Sequence, residues 1–159
     1  MSEAEEVAAV IPPKRAPVTP PMVQAASLAD INEKGQWLIP RICERWETTP
    51  YHVIAWLRSA LPSNDKRLMC CGDAIGMAHE ESGEMGQPSR IEIDFVLSKQ
   101  GAEGEEECVA IFLWFERWGR SKGARGLYRV IDFADVDNYA LRKHFGTMKS
   151  QTSRFVLFS

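Results

Sequence analysis

Residues 90–98 (RIEIDFVLS), 108–123 (CVAIFLWFERWGRSKG) and 127–133 (LYRVIDF) form the stretch on which the fold depends. The first segment alternates apolar and polar residues, which predicts a β-strand. One face of this strand is expected to carry Ile91, Ile93, Phe95 and Leu97, and the other Glu92, Asp94 and Ser98. The second segment repeats apolar residues at helical spacing, and the third predicts another strand, followed by a short helix at 135–146. Strand, helix and strand in this order imply a right-handed parallel crossover, so the predicted fold class is α/β, or α+β with a parallel pair.

The composition of the chain indicates one globular domain and excludes several classes of protein. The chain has 159 residues, of which 45% are hydrophobic. Its formal net charge of −3 does not suggest the basic face that nucleic-acid binding normally needs, so no nucleic-acid partner is expected. It has no apolar run of about eighteen residues, and its first ten residues are too acidic for a signal peptide. We therefore expect no membrane span and no secretion.

The four cysteines, Cys43, Cys70, Cys71 and Cys108, have no metal-ligand spacing. Cys70 and Cys71 are neighbours in a predicted strand, where consecutive side chains point to opposite faces and cannot bind one ion together. The sequence therefore predicts no metal site and favours reduced thiols in the core. Reduced thiols are typical of a cytoplasmic protein.

Residues 1–21 are predicted to form an extended arm in front of a domain at 22–159. Five of the nine prolines lie in this arm, and such a composition favours polyproline-like backbone without a core of its own. We expect the arm to pack on another chain, either a different protein or a second copy of this one. The arm residues expected to make this contact are Val10, Ile11, Lys14, Arg15 and Val18.

The remaining elements follow from caps, periodicity and turn residues. A short strand is expected at 22–26. Ser27 is the predicted N-cap of a helix at 28–46, which Pro40 should kink or divide. Thr49 is predicted to cap a second helix, which begins at Pro50. Residues 66–71 and 73–80 predict a hairpin. A last strand is expected at 155–158, with no further strand after it.

Several segments resemble the GNAT acyltransferase superfamily. The clearest is residues 115–124 (FERWGRSKGA), which are similar to the end of the family's third helix. Residues 135–146 resemble the helix that follows the fifth strand, and residues 23–30 (VQAASLAD) resemble the entry from the first strand into the first helix. The resemblance covers residues 22–159. It implies a mixed sheet with a central βαβ crossover and helices on both faces.

The resemblance also implies where a cofactor would bind. In the family, acyl-CoA lies where the fourth and fifth strands separate, and its pyrophosphate rests on backbone N–H groups of a Gly-rich loop before the third helix. The corresponding segment here is 98–107 (SKQGAEGEEE), in which Gln100 takes the first position of the motif, and Gln100, Gly101 and Gly104 are the candidate cofactor-binding residues. Glu103 replaces its first glycine, and the carboxylates of Glu105–Glu107 suit the helix dipole but repel a phosphate. An acidic helix N-terminus is the alternative explanation of this segment.

The catalytic positions of the family are matched in part. Glu92 corresponds to the general base on the fourth strand, with an exposed strand residue as the alternative. In the family a tyrosine acts as the general acid. Arg142, which cannot donate a proton near neutral pH, takes its position here, and the nearest tyrosine is Tyr139. The seventh strand that usually walls the acceptor pocket is expected to be missing. The three histidines have no evident acidic or nucleophilic partner, and surface or packing roles are expected for His52, His79 and His144.

Two hypotheses of function remain open. The first is a non-catalytic GNAT-fold protein that binds partners through its arm and through the outer face of the third helix, where Leu113 and Trp114 lie. The chain also resembles small GNAT-like proteins of tailed phages. This resemblance suggests a structural component of a phage particle, located in the host's cytoplasm or in the assembled particle. The alternative is an acetyl-CoA-dependent N-acetyltransferase with an atypical cofactor loop. The three departures in the site favour the first hypothesis, which needs no cofactor.

Overall fold

The computed structural model describes residues 22–83, 85, 89–100 and 104–124, together with the backbone of 127–130, 149–151 and 154–158. The predicted arm at 1–21 and the predicted helix at 135–146, with Tyr139, Arg142 and His144, lie outside the described residues. Gly101 and Glu103 of the expected cofactor loop also lie outside them.

Three helices are described, and their first residues are the ones that the sequence predicts. Helix α1 (Leu28–Trp46) begins with a capping box in which Ser27 N donates to Asp30 Oδ2 at 2.8 Å and Asp30 N donates to Ser27 Oγ at 3.2 Å. It is a single helix of 19 residues with Pro40 inside it, so the division expected there is wrong. Helix α2 (Pro50–Arg58) follows Thr49, and helix α3 spans Glu105–Ser121.

The described strands form one sheet. In chain order they are β1 (Gln24–Ala25), β2 (Lys66–Cys71), β3 (Ala74–Glu81), β4 (Arg90–Ser98), β5 (Leu127–Val130), β6 (Lys149–Gln151) and β7 (Arg154–Phe158). Their order across the sheet is β1-β2-β3-β4-β5-β7-β6. The β4–β5 pair is parallel and spans α3, so the predicted crossover is confirmed. The expectation of a single last strand is wrong, because β6 and β7 form an antiparallel hairpin.

Helices cover both faces of the sheet, as expected, and each face has its own apolar core. Cys70 and Cys71 point to opposite faces and belong to different cores, and none of the four cysteines forms a disulfide. Helix α3 packs on one face through Cys108, Ile111, Phe112, Phe115 and Trp118. Helices α1 and α2 pack on the other through Ile31, Leu38, Ile42, Val53 and Leu57.

The alternation predicted for β4 is wrong in its second half. The pairing of β3 with β4 runs from Ala78–Ile93 to Met77–Phe95, so Asp94 is an inserted residue and β4 has a bulge there. Ile91 and Ile93 therefore face α3, whereas Phe95 faces α1 and α2. The described pairing between β4 and β5 covers 91–93 and ends immediately before the bulge.

No helix among the described residues is both long enough and apolar enough to cross a lipid bilayer.

Candidate functional site

A cleft of about 430 Å³ opens between α1, α2 and the bulged part of β4. Its described lining comprises Ile42, Trp46, Thr48, His52, Val53, Trp56 and Asp94. Asp94 is the one acidic residue in this described lining, which contains neither lysine nor arginine. The cleft is therefore a mainly apolar site with a single carboxylate in its wall.

Two tryptophans form the aromatic wall of the cleft. The rings of Trp46 on α1 and Trp56 on α2 meet edge to face, with centroids 5.4 Å apart. Trp56 also contacts Phe95, at 5.8 Å between centroids, so the wall is attached to the core directly after the bulge. The Trp46 side remains accessible, because this residue is 42% exposed. The cleft thus combines a supported aromatic ring with one that faces solvent.

The carboxylate of Asp94 is held by a histidine on the neighbouring strand. Nδ1 of His79 lies 3.0 Å from Asp94 Oδ2, and Nε2 of His79 lies 3.2 Å from Glu81 Oε2. Arg90 Nη2 in turn lies 2.7 Å from Glu81 Oε1. The hydrogen bond to Asp94 raises the pKa of His79 to about 9, although burial acts in the opposite direction. At neutral pH His79 is therefore an imidazolium that fixes one oxygen of Asp94.

This arrangement corrects the expectation that His79 lacks an acidic partner. His79 and Asp94 are brought together by the β3–β4 register and by the bulge, which no local pattern in the sequence reveals. His52 does lie on the surface as expected, and it also lines the cleft, where its Nδ1 is 3.1 Å from Thr49 Oγ1.

The predicted general base, Glu92, lies close to this group in the sheet. It is paired with His79 in the β3–β4 ladder and precedes Asp94 by two residues. Its side chain is 5% exposed, so the alternative of an exposed strand residue is wrong. Glu92 is not among the residues that line the described part of the cleft. The structure therefore presents two carboxylates on β4, of which Asp94 is the accessible one.

The other end of β4 leads towards the N-terminus of α3, the end at which a helix presents amide groups without partners inside the helix. Gly104 is the N-cap and carries no side chain that could occupy the first amides of the helix. A Cβ atom on Gly104 would overlap the side chain of Ser98, so a glycine is needed for this close approach. Arg41 supports the same corner by donating from Nη1 to Ser98 O at 2.9 Å.

Glu105, Glu106 and Glu107 form the first turn of α3, which confirms the alternative explanation of this segment as an acidic helix N-terminus. Asp73 N, in the β2–β3 turn, donates to Glu107 Oε1 at 3.1 Å, so the carboxylate of Glu107 anchors that turn. Gln100 Nε2 donates to Asp73 Oδ2 at 3.2 Å, so the amide of Gln100 is used in the same turn. Of these glutamates, Glu107 is therefore bonded to the turn and Glu106 is exposed to solvent.

The predicted partner residues on α3 differ from each other. Leu113 is 38% exposed, as expected for the outer face. Trp114 is half-buried, because its ring stacks on Trp118 with centroids 6.1 Å apart. Much of the Trp114 surface is thus used within the chain.

No family model and no curated protein matches the chain by sequence. Solved structures do match by shape. The aminoglycoside 6'-N-acetyltransferase AAC(6')-IG of Acinetobacter haemolyticus superposes with a TM-score of 0.61 at 9% identity, over 82% of this chain and 92% of that one. A protein of Arthrobacter sp. FB24 assigned as an acetyltransferase gives 0.64 at 16% identity, over 88% and 92%. A GNAT family acetyltransferase of Staphylococcus aureus gives 0.54 at 8% identity, over 82% and 94%.

These likenesses establish that the chain has a GNAT-like fold, as the sequence resemblance implied. At such low identity they concern the fold alone. They do not bear on a phage setting or on partners of the arm, which stay predictions.

Proposed function

We propose that this protein is a GNAT-type N-acyltransferase, which transfers an acyl group from a coenzyme A thioester to an amine bound in the cleft. The observation that carries the proposal is the position of Asp94. It is inserted in β4 directly after the described pairing with β5 ends, and it lines the cleft. The GNAT-like fold is consistent with this activity, but the proposal depends on the site, because a fold alone does not imply a function.

The residues of the cleft suit the amine half of such a reaction. An amine is protonated in water, and a carboxylate in a mainly apolar wall stabilises the ammonium ion by charge-assisted hydrogen bonding. In the proposed reaction Asp94 receives the proton that the ammonium ion loses before its nitrogen attacks the thioester. His79 keeps the carboxylate in position through Oδ2. Glu92, two residues earlier and buried, is the second candidate for the base.

The N-terminus of α3 suits the phosphates of the acyl donor. Gly104 adds no side-chain cap to the first amides of the helix, and its close packing on Ser98 holds the backbone at this end. When bound, the thioester would supply an activated acyl group. The ammonium ion first loses one proton to the base; the neutral nitrogen then forms the amide bond as the carbon–sulfur bond breaks, and its second proton goes to the thiolate, which leaves as the thiol.

This proposal replaces the non-catalytic hypothesis that the sequence favours. One of its three arguments, the missing seventh strand, is wrong, because β6 and β7 are both present. The acidic loop is a weak argument against phosphate binding, because the carboxylate of Glu107, one of its glutamates, is bonded to the β2–β3 turn. The third argument, Arg142 in place of a tyrosine, concerns a residue outside the described ones.

The test is release of free thiol from acetyl-CoA in the presence of a panel of small primary amines. We expect amine-dependent release by the wild type and a loss of about 100-fold or more for Asp94→Asn. Glu33→Gln, an exposed position on α1, is the matched control and should keep full activity. Circular dichroism establishes that each variant is folded. Undiminished activity of a folded Asp94→Asn, or no release above the blank with any amine, would overturn the proposal.

A further inference from the structure

We propose that the cleft selects a compact primary amine with a flat aromatic group, whose ammonium contacts Asp94 and whose ring lies on the tryptophan wall. This inference rests on the proposed function, which it deepens by naming the class of acceptor. It is carried by the charge, the ring geometry and the size of the cleft.

The charge of the site favours a cation. Asp94 contributes a carboxylate to the described lining, which holds no lysine or arginine. His79 partly balances this charge, but its imidazolium is shared with Glu81, so the three groups together carry one negative charge. Arg90 is bonded to Glu81 and balances that remaining charge, so the four groups together are neutral, and Asp94 is the carboxylate among them that lines the described cleft. The Asp94 carboxylate therefore favours a cationic ligand over an anionic one.

The tryptophans favour an aromatic body. Trp46 and Trp56 already touch edge to face at 5.4 Å, so a ligand does not insert between them but lies against the accessible ring surface. Trp46 is 42% exposed and lines the same cleft as the Asp94 carboxylate, so part of its apolar ring surface is available to a ligand. A flat ring covers this surface by stacking, and a nearby ammonium adds a cation–π attraction.

The size of the cleft favours a small molecule over a protein lysine. A volume of about 430 Å³ lies in the lower half of the range typical of small-molecule sites. The side chain of a protein lysine is a narrow, unbranched aliphatic chain, so it would leave much of the aromatic wall in contact with water. A phenyl group on a short alkyl spacer fills the wall and brings its ammonium to the carboxylate.

Binding can be measured without the acyl donor, which separates this inference from the proposed reaction. The probes are phenethylamine, hexylamine as an aliphatic amine, and phenylpropionate as an aromatic anion, each titrated by calorimetry and by tryptophan fluorescence. We expect phenethylamine to bind about ten-fold more tightly than hexylamine, and phenylpropionate not to bind. Equal binding of the two amines, or binding of the anion, would overturn the inference.

Variants locate the binding. Trp46→Leu, at a partly exposed position, should weaken phenethylamine about five- to ten-fold while hexylamine changes little. Trp37→Leu is the matched control, because Trp37 lies on the same helix beside Arg41 and does not line the described cleft. If Trp37→Leu lost the preference for phenethylamine over hexylamine and Trp46→Leu kept it, the aromatic ring of the ligand would not lie on Trp46. That result would overturn the inference.

Transfer assays separate the two proposals. Selective binding of phenethylamine without acetyl transfer would overturn the proposed function and support the acceptor site as a binding site. Transfer at least as efficient to hexylamine or to a lysine peptide would support the function and overturn the selectivity inferred here.

Discussion

Nδ1 of His79 lies 3.0 Å from Oδ2 of Asp94, at the point where β4 contains one residue more than β3. The contact joins His79, in the middle of β3, to Asp94, the inserted residue of β4. It therefore stabilises the bulge and also orients the carboxylate that lines the cleft. Because His79 also contacts Glu81, a protonated ring can satisfy both acids at once.

His79 should make the stability of the protein depend on pH. Its pKa is raised from 6.5 to about 9, so the folded state binds the proton more tightly than the unfolded state. The stabilisation is therefore complete below pH 6.5 and is lost as the pH rises through 9. We expect the difference in unfolding free energy between wild type and His79→Gln to be larger at pH 6 than at pH 10 by about 2 kcal/mol. Urea denaturation at the two pH values measures it, and a constant difference would contradict the assignment.

Phe112 and Leu113 offer a matched pair of substitutions on α3. Phe112 is fully buried against the sheet, so Phe112→Ala leaves a cavity and should cost about 3–5 kcal/mol of unfolding free energy. Leu113 is 38% exposed, and Leu113→Ala should cost less than about 1 kcal/mol. Chemical denaturation of both variants measures the two costs. Equal costs would mean that the helix faces the sheet differently.

Binding of coenzyme A is expected to be weak, and Glu106→Gln should strengthen it. Glu106 is exposed in the first turn of α3, where its charge opposes a phosphate at the helix N-terminus. Removing one such charge should raise the affinity for acetyl-CoA about two- to five-fold at low salt, with a smaller gain at high salt. Calorimetric titration gives the dissociation constants. Glu116→Gln, near the other end of the helix, serves as the control, and an equal gain there would rule out a local effect.

Deletion of residues 1–21 tests the arm, which the structure does not describe. The arm is expected to bind another chain through apolar residues such as Val10, Ile11 and Val18. The shortened protein should therefore keep its circular dichroism spectrum but lose any self-association that light scattering detects in the full-length protein. Unfolding of the shortened protein would show that the arm belongs to the core, and unchanged association would show that it makes no such contact.

Local patterns were sufficient for most of the individual elements. Ser27 and Thr49 cap their helices as predicted, because a cap depends on residues within one turn. The buried face of α3, with Phe112 and Phe115, follows from helical periodicity in the same way. The hairpin at 66–81 follows from two apolar runs around a turn at Gly72, whose φ of 59° suits glycine.

The C-terminal hairpin shows where such patterns end. Strand β6 (Lys149–Gln151) contains no apolar alternation, so nothing in its own sequence distinguishes it from a loop. It is a strand because its backbone pairs with β7. A pairing of this kind depends on which segment lies beside it.

The sequence by itself therefore determined most of the described elements other than β6, their main caps and the crossover, since these follow from neighbours along the chain, and its resemblance to the GNAT superfamily implied the fold class. Only the tertiary structure decided the candidate site. The bulge at Asp94 arises from a change of register against β3, and its contact with His79 spans 15 positions. The cleft combines side chains from α1, α2 and β4. Such contacts depend on the distance between strands and helices in space, which no periodicity within a single segment contains.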